Sequence, residues 1–248
     1  MKIGIIGTGH IGKTLALKLA KAGHEVAVAN SKAPENMDTE VLATGAMAVT
    51  AQQALQDKDV IILSIPLNRI PDITPDFSAV SENTVVIDTS NYYPARDSRI
   101  DSIEAGLVES SWVAKQLGHP IAKAWNAIGS HSLAINGKPA GRPDRIAIPI
   151  AADRDLDREV TMKLVDDTGF DAFNAGSLAD SWRQQPGAPA YCTDLTSTEM
   201  QAVINSAERE RLPKRRDLVV AAIMERMSSP TTNPDAEYGT RLSRAIYM

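Results

Sequence analysis

The chain has 248 residues, 43% of them hydrophobic and 23% charged, and a formal net charge of −5. That composition supplies the core of one large α/β domain, or of a main domain with a smaller appendage, and gives no electrostatic basis for gripping nucleic acid or an anionic membrane. The single cysteine, Cys192, excludes an intrachain disulfide, and no apolar run approaches the ~20 residues of a membrane span, so a soluble, cytoplasmic protein is expected.

Met1 to Gly12 reads MKIGIIGTGHIG. Lys2 to Ile6 is the short apolar run of a buried parallel strand, begun at once with no room for a signal peptide. Gly7, Gly9 and Gly12 follow in GxGxxG spacing. A helix opens directly after them: Ile11, Leu15 and Leu19 recur every four residues, Ala16 and Ala20 flank that row, and Gly23 stands where a left-handed cap belongs. In this setting Gly7 permits a tight turn, Gly9 lets the backbone approach a diphosphate, and Gly12 lets helix and strand pack closely. The diphosphate then meets N–H groups at the positive end of the helix, which predicts dinucleotide binding.

Val26 to Asn30, VAVAN, is a second strand. A site for NAD usually offers an acid near this point to hold the ribose 2′-hydroxyl. Asn30, Ser31 and Lys32 stand there instead, and an amide, a hydroxyl and a cation suit a 2′-phosphate. NADP is therefore expected over NAD. A short helix from Pro34 to Gly45, a strand near Met47 to Thr50 and a half-length helix from Ala51 to Gln56 come next. Val60 to Ile65, stopped by Pro66, and Thr84 to Thr89, running into Ser90, Asn91, Tyr92 and Tyr93, read as further buried strands. Ligands of open parallel sheets lie outside the carboxyl ends of the strands, which places Ser64, Ile65, Pro66 and Asp88 to Asn91 at the cofactor cleft.

Asp101 to Leu117 reads as mostly helical, ended by Gly118; Ile121 to Trp125 resumes a strand that runs into Asn126 and Ala127, and Arg145 to Ala151 is another. A boundary near Pro149 to Asp153 divides a dinucleotide-binding domain, residues 1–150, from a smaller one, residues 151–248. In the latter, Asp153 is placed to cap a helix whose buried row is Leu156, Val160 and Leu164, and Gly169 ends it. Phe170 to Phe173 suits an edge strand, while the glycines and prolines of Ala175 to Tyr191 forbid a long regular element. Thr196 and Glu199 form a capping box for a helix carrying Met200, Val203, Ile204 and Ala207. Pro213 opens another, with Leu218, Ala222 and Ile223 on one face. Arg209, Arg211, Lys214, Arg215 and Arg216, interleaved with Glu208, Glu210 and Asp217, read as a solvated face. There is no internal repeat.

The opening motif together with ANSK at 29–32, KAWN at 123–126 and AGSL at 175–178 resembles the family of F420-dependent NADP oxidoreductases, which includes the cytosolic domains of the STEAP metalloreductases. The likeness covers most of residues 1 to about 190, and residues from about 192 onward look like an extension found in bacterial members. The resemblance implies a Rossmann-type α/β fold, a doubly wound and mostly parallel sheet with a smaller C-terminal α/β to helical domain. It also implies hydride exchange between NADP(H) and a second carrier such as F420 or a flavin. It assigns Thr8, Gly9, His10 and Ile11 to the diphosphate turn, Ser31 and Lys32 to the 2′-phosphate, and Ile65 and Pro66 to the cofactor border. Ala124, Trp125 and Asn126 match the family's Lys-Ala-Phe-Asn stretch beside the nicotinamide, with tryptophan in place of phenylalanine.

Hydride transfer between a nicotinamide and a flavin-like ring rests on stacking and orientation, and the sequence accordingly offers no nucleophilic triad and no metal-ligand spacing. His10, His24, His119 and His131 are scattered; His119 and His131 flank the nicotinamide strand and are candidates for a polarising or proton-donating role, against an ordinary structural one. A second enzymatic reading pairs Lys123 with Asn126, Lys123 protonating an oxygen while NADPH reduces a carbonyl or imine. A third takes the chain as a non-catalytic NADP-binding redox sensor. The apolar faces of the last helices suit packing on their own domain or a homodimer, and Cys192, in a polar segment, reads as a packing residue.

Overall fold

The structure is a computed structural model that describes residues 1–227 and 234–248. The strands are β1 (Lys2–Ile6), β2 (Glu25–Ala29), β3 (Met47–Ala48), β4 (Val60–Leu63), β5 (Val85–Asp88), β6 (Ala122–Lys123), β7 (Ala147–Ala152) and β8 (Asp171–Asn174). The helices are α1 (His10–Lys21), α2 (Ala51–Leu55), α3 (Ile70–Phe77), α4 (Pro94–Asp97), α5 (Asp101–Glu104), α6 (Glu109–Leu117), α7 (Ser130–Ile135), α8 (Asp155–Asp167), α9 (Ser197–Asn205), α10 (Leu212–Met227) and α11 (Ala236–Tyr247). Among the described residues the strands form one sheet in the order β3-β2-β1-β4-β5-β6-β7-β8. All neighbours run parallel except β6 and β7. The chain winds one way from β1 and the other way from β4, so the switch between these strands opens a crevice at their carboxyl ends. This is the Rossmann-type doubly wound architecture. The sheet continues past residue 150 into β8.

Strand alternation explains the two layers. Ile3, Ile5, Val26, Val28, Val60, Ile62, Val85 and Ile87 face one side, where Leu15, Ala16 and Leu19 of α1 and Leu164 and Val165 of α8 cover them. Ile6, Ile61, Leu63 and Val86 face the other, under Ile70 and Phe77 of α3 and Trp112, Val113 and Leu117 of α6. Each fully buried aliphatic side chain contributes about 1.5–3 kcal/mol, and the central strands are buried on both faces because helices cover both.

Several expectations shift. The segment Pro34 to Gly45 forms two short 3-10 turns, Pro34–Asn36 and Thr39–Leu42. The helix expected over Asp101 to Leu117 is broken into α5 and α6, with Gly106 between them at φ +100°. The strand expected to reach Trp125 stops at Lys123, because Trp125 adopts a left-handed backbone at φ +55°. In α8 the inward row is Asp157, Thr161, Leu164 and Val165, with Arg154 rather than Asp153 at the cap position; Leu156 is 46% exposed. Asp157 turns inward because Arg154 clamps it, with Nε 2.7 Å and a terminal nitrogen 2.6 Å from its carboxylate oxygens. In α10 the inward residues are Leu212, Arg215, Arg216 and Val219, while Leu218 is exposed. Arg215 and Arg216 therefore leave the solvated face, and the Arg216 guanidinium packs 5.7 Å from the centre of the Tyr92 ring. The capping box of α9 is formed as expected, and among the described residues no helix is long and apolar enough to cross a membrane.

Candidate functional site

The site begins at the turn between β1 and α1. Gly7 lies at φ +103°, and a Cβ there would stand 2.2 Å from the Ser64 carbonyl oxygen. A Cβ on Gly12 would stand 2.0 Å from the Gly7 carbonyl oxygen. Both glycines are thus required by backbone packing around β4. Gly9 differs: a Cβ there would meet nothing within 4 Å. It occupies the cap position of α1 with no side-chain cap, so the first N–H groups of the helix face open space instead of a hydroxyl or carboxylate. These residues fit a dinucleotide diphosphate.

From Gly9, His10 and Ile11 a cleft of 410 Å³ runs past Ser64, Ile65 and Pro66 at the end of β4 and Thr89, Ser90 and Asn91 at the end of β5. It continues along Trp125, Asn126 and His131 to Tyr93, Tyr191 and Cys192. Its outer wall comes from Val219, Val220 and Ile223 of α10 and Thr240, Ser243 and Tyr247 of α11. The C-terminal helices therefore complete the same cleft that the glycine turn opens.

Asn30, Ser31 and Lys32 follow β2, beside the glycine turn and outside the cleft. The Asn30 amide donates to Thr8 Oγ1 at 2.9 Å, and its oxygen accepts the Lys32 N–H at 2.8 Å. Asn30 thereby ties this loop to the turn, leaving the Ser31 hydroxyl and Lys32 ammonium at an exposed position suited to a 2′-phosphate. Replacing Lys32 by alanine is expected to weaken NADPH binding by roughly 1.5–3 kcal/mol while changing NADH binding little; fluorescence titration with both cofactors reads the difference, and an equal loss would contradict this placement.

The structure separates the catalytic candidates. Lys123 is fully buried, and its Nζ lies 2.6 Å from Asp88 Oδ2 and also donates to the Ser90 carbonyl. It does not line the cleft and does not converge with Asn126. The Asn126 amide donates to the Gln184 carbonyl at 2.8 Å and to Asn91 Oδ1 at 3.1 Å, and its oxygen accepts from Gln184 Nε2 at 2.9 Å. The amide is thus fully engaged in holding the segment after β6 against Asn91. His119 is at the amino end of β6, with its ring nitrogens 2.7 Å from the Pro120 carbonyl and 3.2 Å from that of Ser81, away from the cleft. Ala124 is buried in the core. Trp125 is also buried; its indole N–H points toward Thr168 Oγ1 at 3.4 Å. His24 pairs with Asp167 at 3.0 Å on another face. Burial pushes the Cys192 thiol up, which disfavours the thiolate form a nucleophile needs.

Glu109, on α6, was not legible as part of this region. Its Oε2 accepts the Tyr92 N–H at 3.0 Å behind the cleft loop. Burial pushes its carboxyl up to about 7, against the pull of Lys123 and Arg216 and with a further push from Asp88. A carboxyl that holds its proton longer when folded than when unfolded stabilises the fold below about pH 4.5, and that stabilisation fades as pH rises toward 7. Glu109→Gln is expected to remove this dependence: from pH 4.5 to 7.5 it gains about 2–3 kcal/mol of stability relative to the wild type. Urea unfolding of both proteins checks this; a difference that does not vary with pH contradicts it.

Comparisons with known proteins agree with this geometry. Over residues 2–92 the chain matches the family described as NADP oxidoreductase coenzyme F420-dependent. The Escherichia coli (strain K12) protein YjhV is 44% identical over 82 residues, which are 32% of this chain and 60% of that protein. A hypothetical protein from Sinorhizobium meliloti is 27% identical, with a TM-score of 0.66, over 79% of this chain and 96% of that one. An Arthrobacter sp. FB24 protein, provisionally described as an F420-dependent NADP reductase, is 13% identical with a TM-score of 0.57 over 95% and 98% of the two chains. At that identity the likeness is one of fold alone. The chain is thus similar, over residues 2–92, to a family of NADP-dependent oxidoreductases.

Proposed function

We propose that this chain, with residues 2–92 of an NADP oxidoreductase family as its premise, catalyses hydride transfer between NADP(H) and a deazaflavin, flavin or similar two-electron carrier. One observation carries the reading. The cleft is continuous from the uncapped start of α1, past the strand ends, to residues of α10 and α11, which supports a reading in which a second molecule meets the nicotinamide away from the glycine turn. When bound, NADPH supplies a hydride from its nicotinamide. Gly9, His10 and Ile11 hold the diphosphate, and Ser31 and Lys32 hold the 2′-phosphate. Asn126, fixed by Gln184, anchors the backbone of Trp125 to Asn126 along the cleft. Val219, Val220 and Ile223 keep water from the outer side.

A carbonyl or imine reductase that uses Lys123 as its acid is disfavoured, because that ammonium is buried on Asp88 and Ser90. Purified protein with NADPH is to be offered coenzyme F420, FMN, a ferric chelate and a panel of carbonyl compounds. Oxidation of NADPH by the ring compounds supports the proposal. Tight NADPH binding without oxidation by any acceptor overturns it in favour of a redox sensor.

A further inference from the structure

Two phenols meet on the lining of the cleft. Tyr93 comes from the loop after β5 and Tyr191 from the irregular segment before α9, and their hydroxyl oxygens are 2.8 Å apart. Both line the cleft that begins at Gly9. Burial pushes both phenols up, so they stay protonated at any working pH. Each phenol carries one proton and can also accept, and a single hydrogen bond between them uses only one of the two protons. Ser90 lies on the same wall: its residue is 5% exposed, and its Oγ is buried with no hydrogen-bond partner among the described residues. A buried hydroxyl without a partner carries a desolvation cost that a ligand's polar atom relieves.

The character of this wall restricts what it recognises. The donors on Tyr93, Tyr191 and Ser90 are neutral. The nearest cation, Arg96, is held bidentate by the buried carboxylate of Asp97, at 2.9 and 2.8 Å, and donates to the Asn91 carbonyl at 2.7 Å. The same cleft is lined by Val219, Val220 and Ile223 and by the ring of Tyr247, which packs edge-on to Tyr191 at 6.3 Å. Neutral donors beside apolar faces suit a carbonyl oxygen on a flat, uncharged ring. A carboxylate or phosphate would call for an unpaired cation.

We propose that the Tyr93–Tyr191 pair, with Ser90, anchors the second substrate by donating hydrogen bonds to the carbonyl edge of a neutral heteroaromatic ring, the imide edge of a flavin-like system. The inference rests on the proposed hydride-transfer reading and names the part of its acceptor that is recognised. Tyr93 and Tyr191 bind and orient that ring; they take no part in the transfer of the hydride itself.

The test uses the full chain saturated with NADP+, so that no turnover occurs, and riboflavin as probe because it lacks a phosphate. Fluorescence titration is expected to give saturable riboflavin binding, weakened about three- to tenfold in Tyr191→Phe and in Tyr93→Phe, with NADP+ affinity unchanged in both. FMN is expected to bind no more tightly than riboflavin. Three results overturn the proposal: riboflavin affinity unaltered by either substitution, NADP+ and riboflavin affinities lost together, or NADP+ binding by a wild-type protein that takes up no riboflavin. Failure of the wild type to bind NADP+ contradicts the hydride-transfer reading itself, and so is distinguished from failure of the anchoring pair.

Discussion

Replacing Lys123 by methionine is expected to cost about 3–5 kcal/mol of folding stability. The Asp88 carboxylate is fully buried, and its Oδ2 has the Lys123 ammonium 2.6 Å away. Among the described residues its Oδ1 accepts the Ser90 N–H alone, at 2.9 Å. Removing the ammonium leaves a charge in a dry layer between β5 and β6, and it also releases the Ser90 carbonyl. For a chain of this size that loss corresponds to a fall in melting temperature of about 10 °C. The double variant Asp88→Leu with Lys123→Met removes both charges and is expected to recover most of the loss, because replacing a whole buried pair by apolar groups is often close to neutral. Melting curves of the wild type, the single variant and the double variant check this. A single variant that loses less than about 1 kcal/mol would show that the pair does not hold the cleft loop.

Gly9→Val is expected to leave the fold intact and to lower NADPH affinity about a hundredfold or more, since the side chain occupies the space in which a diphosphate would meet the first N–H groups of α1. Gly12→Val is the contrast. Its Cβ would stand 2.0 Å from the Gly7 carbonyl oxygen, a backbone atom of the turn that follows β1, so the fold itself loses about 3 kcal/mol or more. Circular dichroism with NADPH titration separates the two outcomes. A Gly9→Val protein that keeps its affinity would place the diphosphate elsewhere.

Much of this arrangement was legible in the sequence where local geometry decides. The glycine spacing, the apolar strands and the row Leu15, Ala16 and Leu19 depend on neighbours within a few residues, and they fold as read. Periodicity failed where a polar side chain turns inward with a distant or charged partner. Asp157 displaced Leu156 from the buried row of α8 because Arg154 neutralises it. On α10 the inward face is one position further along, at Val219 rather than Leu218, with Arg215 and Arg216 turned in with it. Lys123 did carry a signal: a lysine within IAKAW, like the aspartate in TVVIDT, is a charge inside a buried strand and requires a partner there. Tyr191 and Gln184 lie in the segment from Ala175 to Tyr191, which has no period to read, and only the tertiary fold brings them to Tyr93 and Asn126. Trp125 stops β6 by its own backbone conformation, which residue preferences for a β-rich aromatic run against.

In the proposed reaction a nicotinamide lies directly against a second ring in the cleft. NADPH carrying two deuterium atoms at the nicotinamide C4 tests it, with a 5-deazaflavin as acceptor, because hydrogen delivered to that ring's carbon does not exchange with water. Mass spectrometry of the reduced acceptor is predicted to show one deuterium per molecule. Reduced acceptor without deuterium, or labelled NADPH that stays unoxidised beside the ring, would contradict direct hydride transfer by this protein.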